Sequence, residues 1–309
     1  MNVLVTGGAG FIGRWVVKRL LSKGSKVIVF DNLSNGSLKN IEEFRKNKNF
    51  SFVKGDVANR NAVKKVFRKK IDSCIHLAAQ INVQESIDHP ERAFTNNLVG
   101  TFNVLEECHK RNIKLTIVGT CMVYDTAIGK AIGEEHPVKP ASPYAATKLG
   151  AEDLALSYYH SYGLPVVVVR PFNTYGPFQK SNLEGGVVSV FVGRELKGEK
   201  LLIFGDGRQT RDLLYVEDSA DFIVQANMKK AAVGHVINAG SGRDISVNKL
   251  ALSIAGDKKK IKHIPHIHPQ AEISKLLCDP RKAKKLLGWR PKVRLEEGIK
   301  RTRAWLESQ

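Results

Sequence analysis

The stretch Thr6-Gly7-Gly8-Ala9-Gly10-Phe11-Ile12-Gly13 decides the fold of this chain. It follows an apolar run, Val3–Thr6, and opens a stretch with helical spacing, Ile12–Ser22. Gly7 permits a tight turn, Gly10 lets backbone approach a pyrophosphate, and Gly13 lets a helix lie close on the strand. The helix N-terminus then offers free N–H groups to phosphate. A glycine pattern alone also suits a packing turn, so its setting matters. Asp31 ends the next apolar run, Lys26–Phe30, and stands 18 residues beyond Gly13. A carboxylate there can accept both ribose hydroxyls of NAD and would repel a 2′-phosphate. Asn32-Leu33-Ser34 supply no Arg, so NAD is expected rather than NADP. The alternative for Asp31 is a turn cap.

Outward from this turn, strand-like runs alternate with helical stretches. Phe50–Val53, Ser73–Leu77, Leu115–Val118 and Val166–Arg170 read as further strands. Asn61–Lys69, a long Glu91–Lys110, and Pro143–Ser161 read as helices. Repeated βαβ order predicts an α/β fold of Rossmann type, a doubly wound parallel sheet with helices on both faces. After Arg170 the rhythm breaks. Pro171–Gly186 reads as a loop; helices are expected at Val187–Lys197, Glu217–Met228, Ser246–Ala255, Pro280–Leu287 and Leu295–Trp305, and a strand at Val236–Asn238. The expected organisation is an NAD-binding domain over 1–171, to which the chain returns around 209–240. A smaller mixed α/β lobe over 172–208 and 241–309 would bind substrate.

Composition bounds the rest. A chain of 309 residues with 42% hydrophobic residues can bury a large core. Its 49 Lys+Arg against 30 Asp+Glu give +19. Asp257–Arg303 alone holds 15 Lys or Arg against 5 Asp or Glu, a net +10. Such charge admits nucleic acid, acidic membrane or anionic substrate as partners, but no recognition-helix or RNA motif supports nucleic acid. Cys74, Cys108, Cys121 and Cys278 are far apart, so neither a zinc site nor a disulfide framework is expected, and no metal. No run of 18 apolar residues or signal-peptide layout is present, which predicts a soluble, cytoplasmic protein without a membrane partner.

Chemistry is expected at Ser142-Pro143-Tyr144-Ala145-Ala146-Thr147-Lys148. Ser142 can be an N-cap and Pro143 the first helical residue. Tyr144 and Lys148 then share a face one turn apart. An ammonium beside a phenol favours phenolate and lowers the tyrosine pKa, giving a base for a hydroxyl proton. An ordinary surface Tyr and Lys would show the same spacing. Thr120 follows the fifth strand, at the sheet edge where ligands bind in such folds. Its hydroxyl could bridge substrate and Tyr144, or simply cap the strand. Asp56 ends the third strand and is read two ways, as acceptor for adenine or as a helix N-cap. His76 reads as a core residue, while His76-Leu77-Ala78-Ala79 would let a cofactor lie against backbone. Arg211 offers a fork suited to a diphosphate; the alternative is an ion pair with Asp212 or Glu217.

Taken together, TGGAGFIG, Asp31-Asn32-Leu33-Ser34, HLAA, Asn96-Asn97-x-x-Gly100-Thr101, SPYAATK, Arg170-Pro171-Phe172-Asn173-x-Tyr175-Gly176-Pro177 and Arg211-Asp212-x-x-Tyr215-Val216-Glu217-Asp218 resemble the extended short-chain dehydrogenase/reductase family over nearly the whole chain. The nucleotide-sugar 4-epimerases and 4,6-dehydratases are most similar. The resemblance implies a tightly held NAD and a catalytic set of Thr120, Tyr144 and Lys148. It implies NAD contacts from Gly7, Gly10, Phe11, Ile12, Gly13, Asp31, Asn32, Asn35, Asp56, Val57, Leu77, Ala78, Ala79, Asn96, Tyr144, Lys148 and Pro171. Asn96 would also support the active-site architecture. A UDP-sugar would meet Asn173, Val187, Phe204, Arg211 and Glu272. The helices over Glu91–Lys110 and Pro143–Ser161 would form a four-helix homodimer interface through Phe94, Leu98, Phe102, Leu105, Leu149, Leu154 and Tyr158.

The sequence departs from the pattern in two places. Similar dehydratases place an acidic pair directly after the catalytic Thr; here stand Cys121 and Met122. Cys121 is a candidate acid in their place, or both residues line the pocket. In the tail an Arg common in epimerases is missing from His263-Ile264-Pro265-His266-Ile267-His268-Pro269-Gln270-Ala271-Glu272, read as a solvated loop in which His266 or His268 could substitute. The leading expectation is a 4-epimerase on a UDP-hexose or UDP-N-acetylhexosamine, working through a 4-keto sugar. The alternative is a 4,6-dehydratase or 5-epimerase using Cys121. A dinucleotide sensor without chemistry is a distant third, because such proteins usually lack the Tyr and Lys. On this reading the basic tail, including Lys258–Lys260, Lys284–Lys285 and Arg301–Arg303, is a set of solvated faces.

Overall fold

In a computed structural model of the chain, which describes residues 1–181, 186–267 and 269–309, the first apolar run lies inside a seven-stranded parallel sheet. The first half runs β1 (Asn2–Thr6), α1 (Phe11–Ser22), β2 (Lys26–Asp31), β3 (Phe50–Lys54), α2 (Arg60–Val66), β4 (Ser73–His76), α3 (Val83–Asp88), α4 (Pro90–Ala93), α5 (Gly100–Lys110), β5 (Lys114–Val118), α6 (Pro143–Tyr162) and β6 (Val166–Pro171). The second half adds β7 (Asn173–Tyr175), α7 (Val187–Leu196), β8 (Leu201–Phe204), β9 (Thr210–Tyr215), α8 (Val216–Met228), β10 (Val236–Ala239), β11 (Asp244–Ser246), α9 (Val247–Ala255), β12 (Ile261–Ile264), β13 (Lys275–Leu276), α10 (Arg281–Leu287) and α11 (Leu295–Glu307).

Sheet order is β10-β6-β5-β4-β1-β2-β3, every pair parallel. Strand order reverses between β1 and β4, so a crevice opens beyond their carboxyl ends. Val3, Leu4 and Val5 are wholly buried because helices cover both faces. One face carries Val16, Val17 and Leu20 of α1 with Phe222, Ile223 and Val224 of α8. The other carries Val63 and Val66 of α2, Val104 and Leu105 of α5, and Ala155 of α6.

A second core joins Phe191 and Val192 of α7, Leu201 and Ile203 of β8, Leu213 and Tyr215 of β9, and Leu250 and Ile254 of α9. In this lobe β9 pairs with β11, β13 and β7, and β12 pairs with β8. The lobe expected over 241–309 does not hold all of that segment. Ala283, Leu287 and Trp289 pack in the same cluster as α1 and α8, because α10 lies against edge strand β10.

Three further expectations are corrected. The helix over Glu91–Lys110 is continuous but not uniform: a π-helical stretch, Phe94–Val99, separates α4 from α5. Buried Asn97 within it accepts from the Gln80 N–H at 2.7 Å and donates to the Gln80 carbonyl and Thr147 Oγ1, both at 3.1 Å. Those tertiary bonds hold the widened turn. The loop expected over Pro171–Gly186 contains β7, three residues too few for a periodic signal, formed by pairing with distant β9. His263 lies on strand β12, paired with β8, and not in a loop.

Candidate active site

The glycine turn is built as its residue types require. Gly7 has φ +71°, and a Cβ there would lie 2.7 Å from the Ala78 nitrogen. A Cβ on Gly13 would lie 2.8 Å from Gly8 Cα. Gly10 caps α1 with no side-chain bond to the first turn, which leaves its N–H groups facing a cleft of about 620 Å³. Asp31 ends β2 in that cleft. Its Oδ2 accepts from the Ala9 N–H at 3.0 Å and its Oδ1 from Leu33 at 2.8 Å. Asp31 is therefore turn cap and cleft carboxylate at once. It fixes Leu33 at a positive φ of 64°, and burial pushes its carboxyl up from the usual range.

Of the residues expected to touch the dinucleotide, Gly7, Gly10, Phe11, Ile12, Gly13, Asp31, Asn32, Asn35, Val57, Leu77, Ala78, Ala79, Asn96, Tyr144, Lys148 and Pro171 line this cleft. Asp56 does not. Its Oδ1 accepts from Ala58 N at 2.8 Å and its Oδ2 from Asn32 Nδ2 at 2.9 Å. It is not the N-cap of α2 either, since Asn59 Oδ1 accepts from both Asn61 and Ala62. Asn96 lines the cleft and, among the described residues, bonds only its own helix, donating to the Arg92 carbonyl; the bonds to Gln80 and Thr147 belong to Asn97. His76 is buried between Thr6 Oγ1 at 2.7 Å and Thr101 Oγ1 at 3.0 Å, and burial pushes its imidazole down to about 3.

At the other side of the cleft, Ser142 Oγ accepts from Ala145 N at 3.2 Å and Pro143 opens α6. Tyr144 and Lys148, one turn apart, both face the cleft with Gly119, Thr120, Cys121 and Met122. Lys148 Nζ donates to the Val118 carbonyl at 2.6 Å. The expected lowering of the phenol is not found. Burial pushes Tyr144 up to about 12 despite a hydrogen bond with Thr120 that lowers it. Lys148 itself is pushed down to about 8 by burial. Cys121 is buried at the cleft wall, and its thiol is pushed up to about 12 by burial.

Asn173, Val187, Phe204 and Glu272 line the opposite end, but Arg211 is not among the described residues that do. Arg211 pairs with Glu272 Oε1, and not with Asp212 or Glu217. It also donates to the Thr210 and Ile273 carbonyls, each at 2.8 Å. Glu272 Oε2 meets His266 Nε2 at 2.7 Å. His268 lies outside the described residues.

The sequence reading missed α3 and the residues Ile81, Asn82, Val83 and Gln84, which line the cleft. A signal existed: Asn82-x-x-Glu85 is a capping pattern, and Asn82 Oδ1 does accept from Glu85 N at 3.1 Å. Ser86 on α3 accepts from Tyr144 N at 3.1 Å and so docks the start of α6. Gln179 and Thr174 were hidden in the stretch read as loop.

This fold and site define an extended short-chain dehydrogenase/reductase. The description GDP-mannose 4,6 dehydratase heads the family model that matches residues 4–302. A UDP-glucose 4-epimerase of Mycolicibacterium smegmatis is 37% identical over 306 residues, covering 98% of this chain and 97% of that protein. Among solved structures, Pal from Bacillus thuringiensis is 54% identical with a TM-score of 0.98, over 100% of this chain and 99% of that one. A dTDP-glucose 4,6-dehydratase from Bacillus anthracis, solved with NAD, is 32% identical with a TM-score of 0.90, over 100% and 97%. The chain belongs to this family of nucleotide-sugar epimerases and dehydratases.

Proposed function

We propose that this chain is an NAD-dependent 4-epimerase of a UDP-hexose or UDP-N-acetylhexosamine, working through a 4-keto sugar. The observation that carries this reading is the pair after Thr120. Where a dehydratase keeps acids, Cys121 and Met122 face the cleft, and 4-epimerisation needs no acid or base beyond the one at O4. Gly7, Gly10, Gly13 and the open first turn of α1 would hold the NAD pyrophosphate, and Asp31 its ribose. The cradle fits, because Gly7, Gly10 and Gly13 line the cleft where α1 begins and no side chain caps its first turn. NAD supplies a reversible hydride acceptor for sugar C4.

Tyr144 takes the proton of the 4-hydroxyl, with Thr120 as its hydrogen-bond partner and Lys148 as the nearby cation. Thr120 is the group that stabilises a Tyr144 phenolate in the free protein. Asn173, Val187, Phe204 and Glu272 would receive the sugar nucleotide, and Arg211 would reach its diphosphate by exchanging Glu272 for phosphate oxygens. Four buried free thiols, and no helix long and apolar enough to cross a membrane among the described residues, fit a cytoplasmic enzyme.

The homodimer is part of the same proposal. Phe94 is 52% exposed, Phe102 37% and Tyr162 59%, on neighbouring helical surface. Leu105 is not available to a partner, being fully buried in its own core, and Leu154 and Tyr158 pack partly on that core.

A second reading is favoured by one observation: the Cys121 thiol lines the cleft beside Thr120 and is kept protonated. A neutral thiol can protonate the departing 6-hydroxyl of a dehydratase, or return a proton to C5 in a 5-epimerase, after another group has removed the C5 proton. Incubation with UDP-glucose and UDP-GlcNAc in D2O separates the two. An isomer of unchanged mass without deuterium supports 4-epimerisation. Loss of water, or deuterium at C5, supports the second reading.

A further inference from the structure

Behind the cleft lies a charged group that the proposed chemistry does not use. Glu152 is wholly buried on α6. Its Oε2 accepts from Arg170 Nε at 2.8 Å and pairs with Nη2 at 2.7 Å. Its Oε1 has no hydrogen-bond partner among the described residues. A buried carboxylate oxygen without a hydrogen bond is unfavourable, and room has been made for it. A Cβ on Gly119 would collide with Glu152 Oε1. Gly119 is the residue between Val118, whose carbonyl accepts from Lys148, and Thr120, the partner of Tyr144.

Tyr144, Lys148 and Glu152 follow at i, i+4 and i+8, one stripe of α6. The stripe begins in the cleft and ends at the Arg170 pair. We propose that Glu152 is a positioning residue: its carboxylate, fixed by Arg170 and admitted by Gly119, holds the Lys148 side chain as a cation beneath the reacting groups. Burial pushes the Glu152 carboxyl up, and Arg170 opposes that shift by pairing with the carboxylate. As a carboxylate Glu152 favours the Lys148 ammonium against burial and disfavours a Tyr144 phenolate. The other groups around the pair do not replace it. His76 on β4 stays neutral and disfavours the Lys148 charge when protonated. Tyr124 is packed against Arg170, 4.7 Å from ring centre to guanidinium carbon, and donates to Asn238 Oδ1 at 2.9 Å. Asp153 next to Glu152 is exposed. Cys121 stays protonated.

The role of Lys148 rests on the function proposed above; its charge can be measured without a substrate. The Nζ resonance of Lys148 in 15N-lysine-labelled, NAD-loaded protein reports its ionisation directly. Glu152→Gln should move the midpoint down by about one pH unit or more, each unit being a tenfold change in the ratio of protonated to neutral lysine. With an accepted sugar nucleotide, kcat at pH 8 should fall about fivefold or more, with KM within about twofold and the alkaline limb displaced in step with the resonance. Glu152→Gln alone strands the Arg170 charge and can unfold the chain. The double variant Glu152→Gln, Arg170→Met removes both buried charges and keeps the test open. An unchanged Lys148 midpoint in either variant overturns the proposal. So does recovery of the original midpoint in the double variant, because Glu152 would then serve only to neutralise Arg170. A displaced midpoint without turnover on any sugar nucleotide would instead count against the proposed function.

Discussion

Lys148 is the residue at which stability and chemistry conflict most openly. Burial pushes it down to about 8 from its ordinary value of 10.5. Below pH 8 the lysine is protonated in both folded and unfolded chains, and the folded state carries the full penalty of a buried charge. Between pH 8 and 10.5 only the unfolded chain holds the proton, so the penalty shrinks, and above 10.5 it is gone. Lys148→Met should therefore stabilise the fold at pH 7 by up to about 3 kcal/mol, less the lost bond to Val118. Denaturant midpoints should show that gain at pH 7 and lose it near pH 10.5, while turnover falls to background. Tyr144→Phe should leave the fold intact and lower kcat by about 10² to 10⁴. Retained turnover in that variant would sink the assigned base. Gly119→Ala meets Glu152 Oε1, and we expect a loss of at least about 2 kcal/mol in stability, read from the same midpoints.

At the level of elements, the site depends on where α6 begins. Ser142 caps it, Ser86 of α3 holds the Tyr144 N–H, and Asn97 in the π-helical stretch reaches Thr147. Three separate segments thus fix the first turn, which carries Tyr144. Ser142→Ala should lower stability by about 1 kcal/mol. It should also raise the disorder of the Tyr144 turn, seen as faster amide exchange at Ala145 than elsewhere in α6. The start of α6 was readable from Ser142-Pro143, because cap and proline chemistry is local. The π-helical stretch was not readable, because its side-chain partners, Gln80 and Thr147, come from other parts of the chain. For the same reason β7 hid in a stretch of Pro, Gly and Asn until β9 lay beside it.

The charge of +19 and the exposed aromatic surface are properties of the whole molecule. The basic tail is only partly a solvated face. Arg301 meets Glu297 at 2.7 Å and Glu217 at 3.8 Å, and Arg303 donates to Glu195 at 2.5 Å, tying α11 to α8 and α7. Lys258–Lys260 are exposed and form no part of the cleft. If the remaining positive surface steers an anionic sugar diphosphate, kcat/KM should fall with added salt while kcat stays level. If neither moves, the charge has no part in this chemistry. Phe102→Asp should convert the proposed dimer to monomer in light scattering, and an unchanged mass would place the interface elsewhere.

The sequence by itself determined the α/β class, the glycine turn, the acid at the end of β2 and the spacing of Tyr144 and Lys148. Each follows from local chemistry: apolar runs of strand length, glycines where a Cβ cannot fit, a cap before a helix. Tertiary structure alone decided what those groups meet. It put Arg211 on Glu272, took Asp56 away from the cleft wall, and set Lys148 against the Val118 carbonyl. It also raised Tyr144 where spacing predicted a lowered phenol. Ionisation and pairing depend on burial and on neighbours dozens of residues away, and no local pattern carries that information.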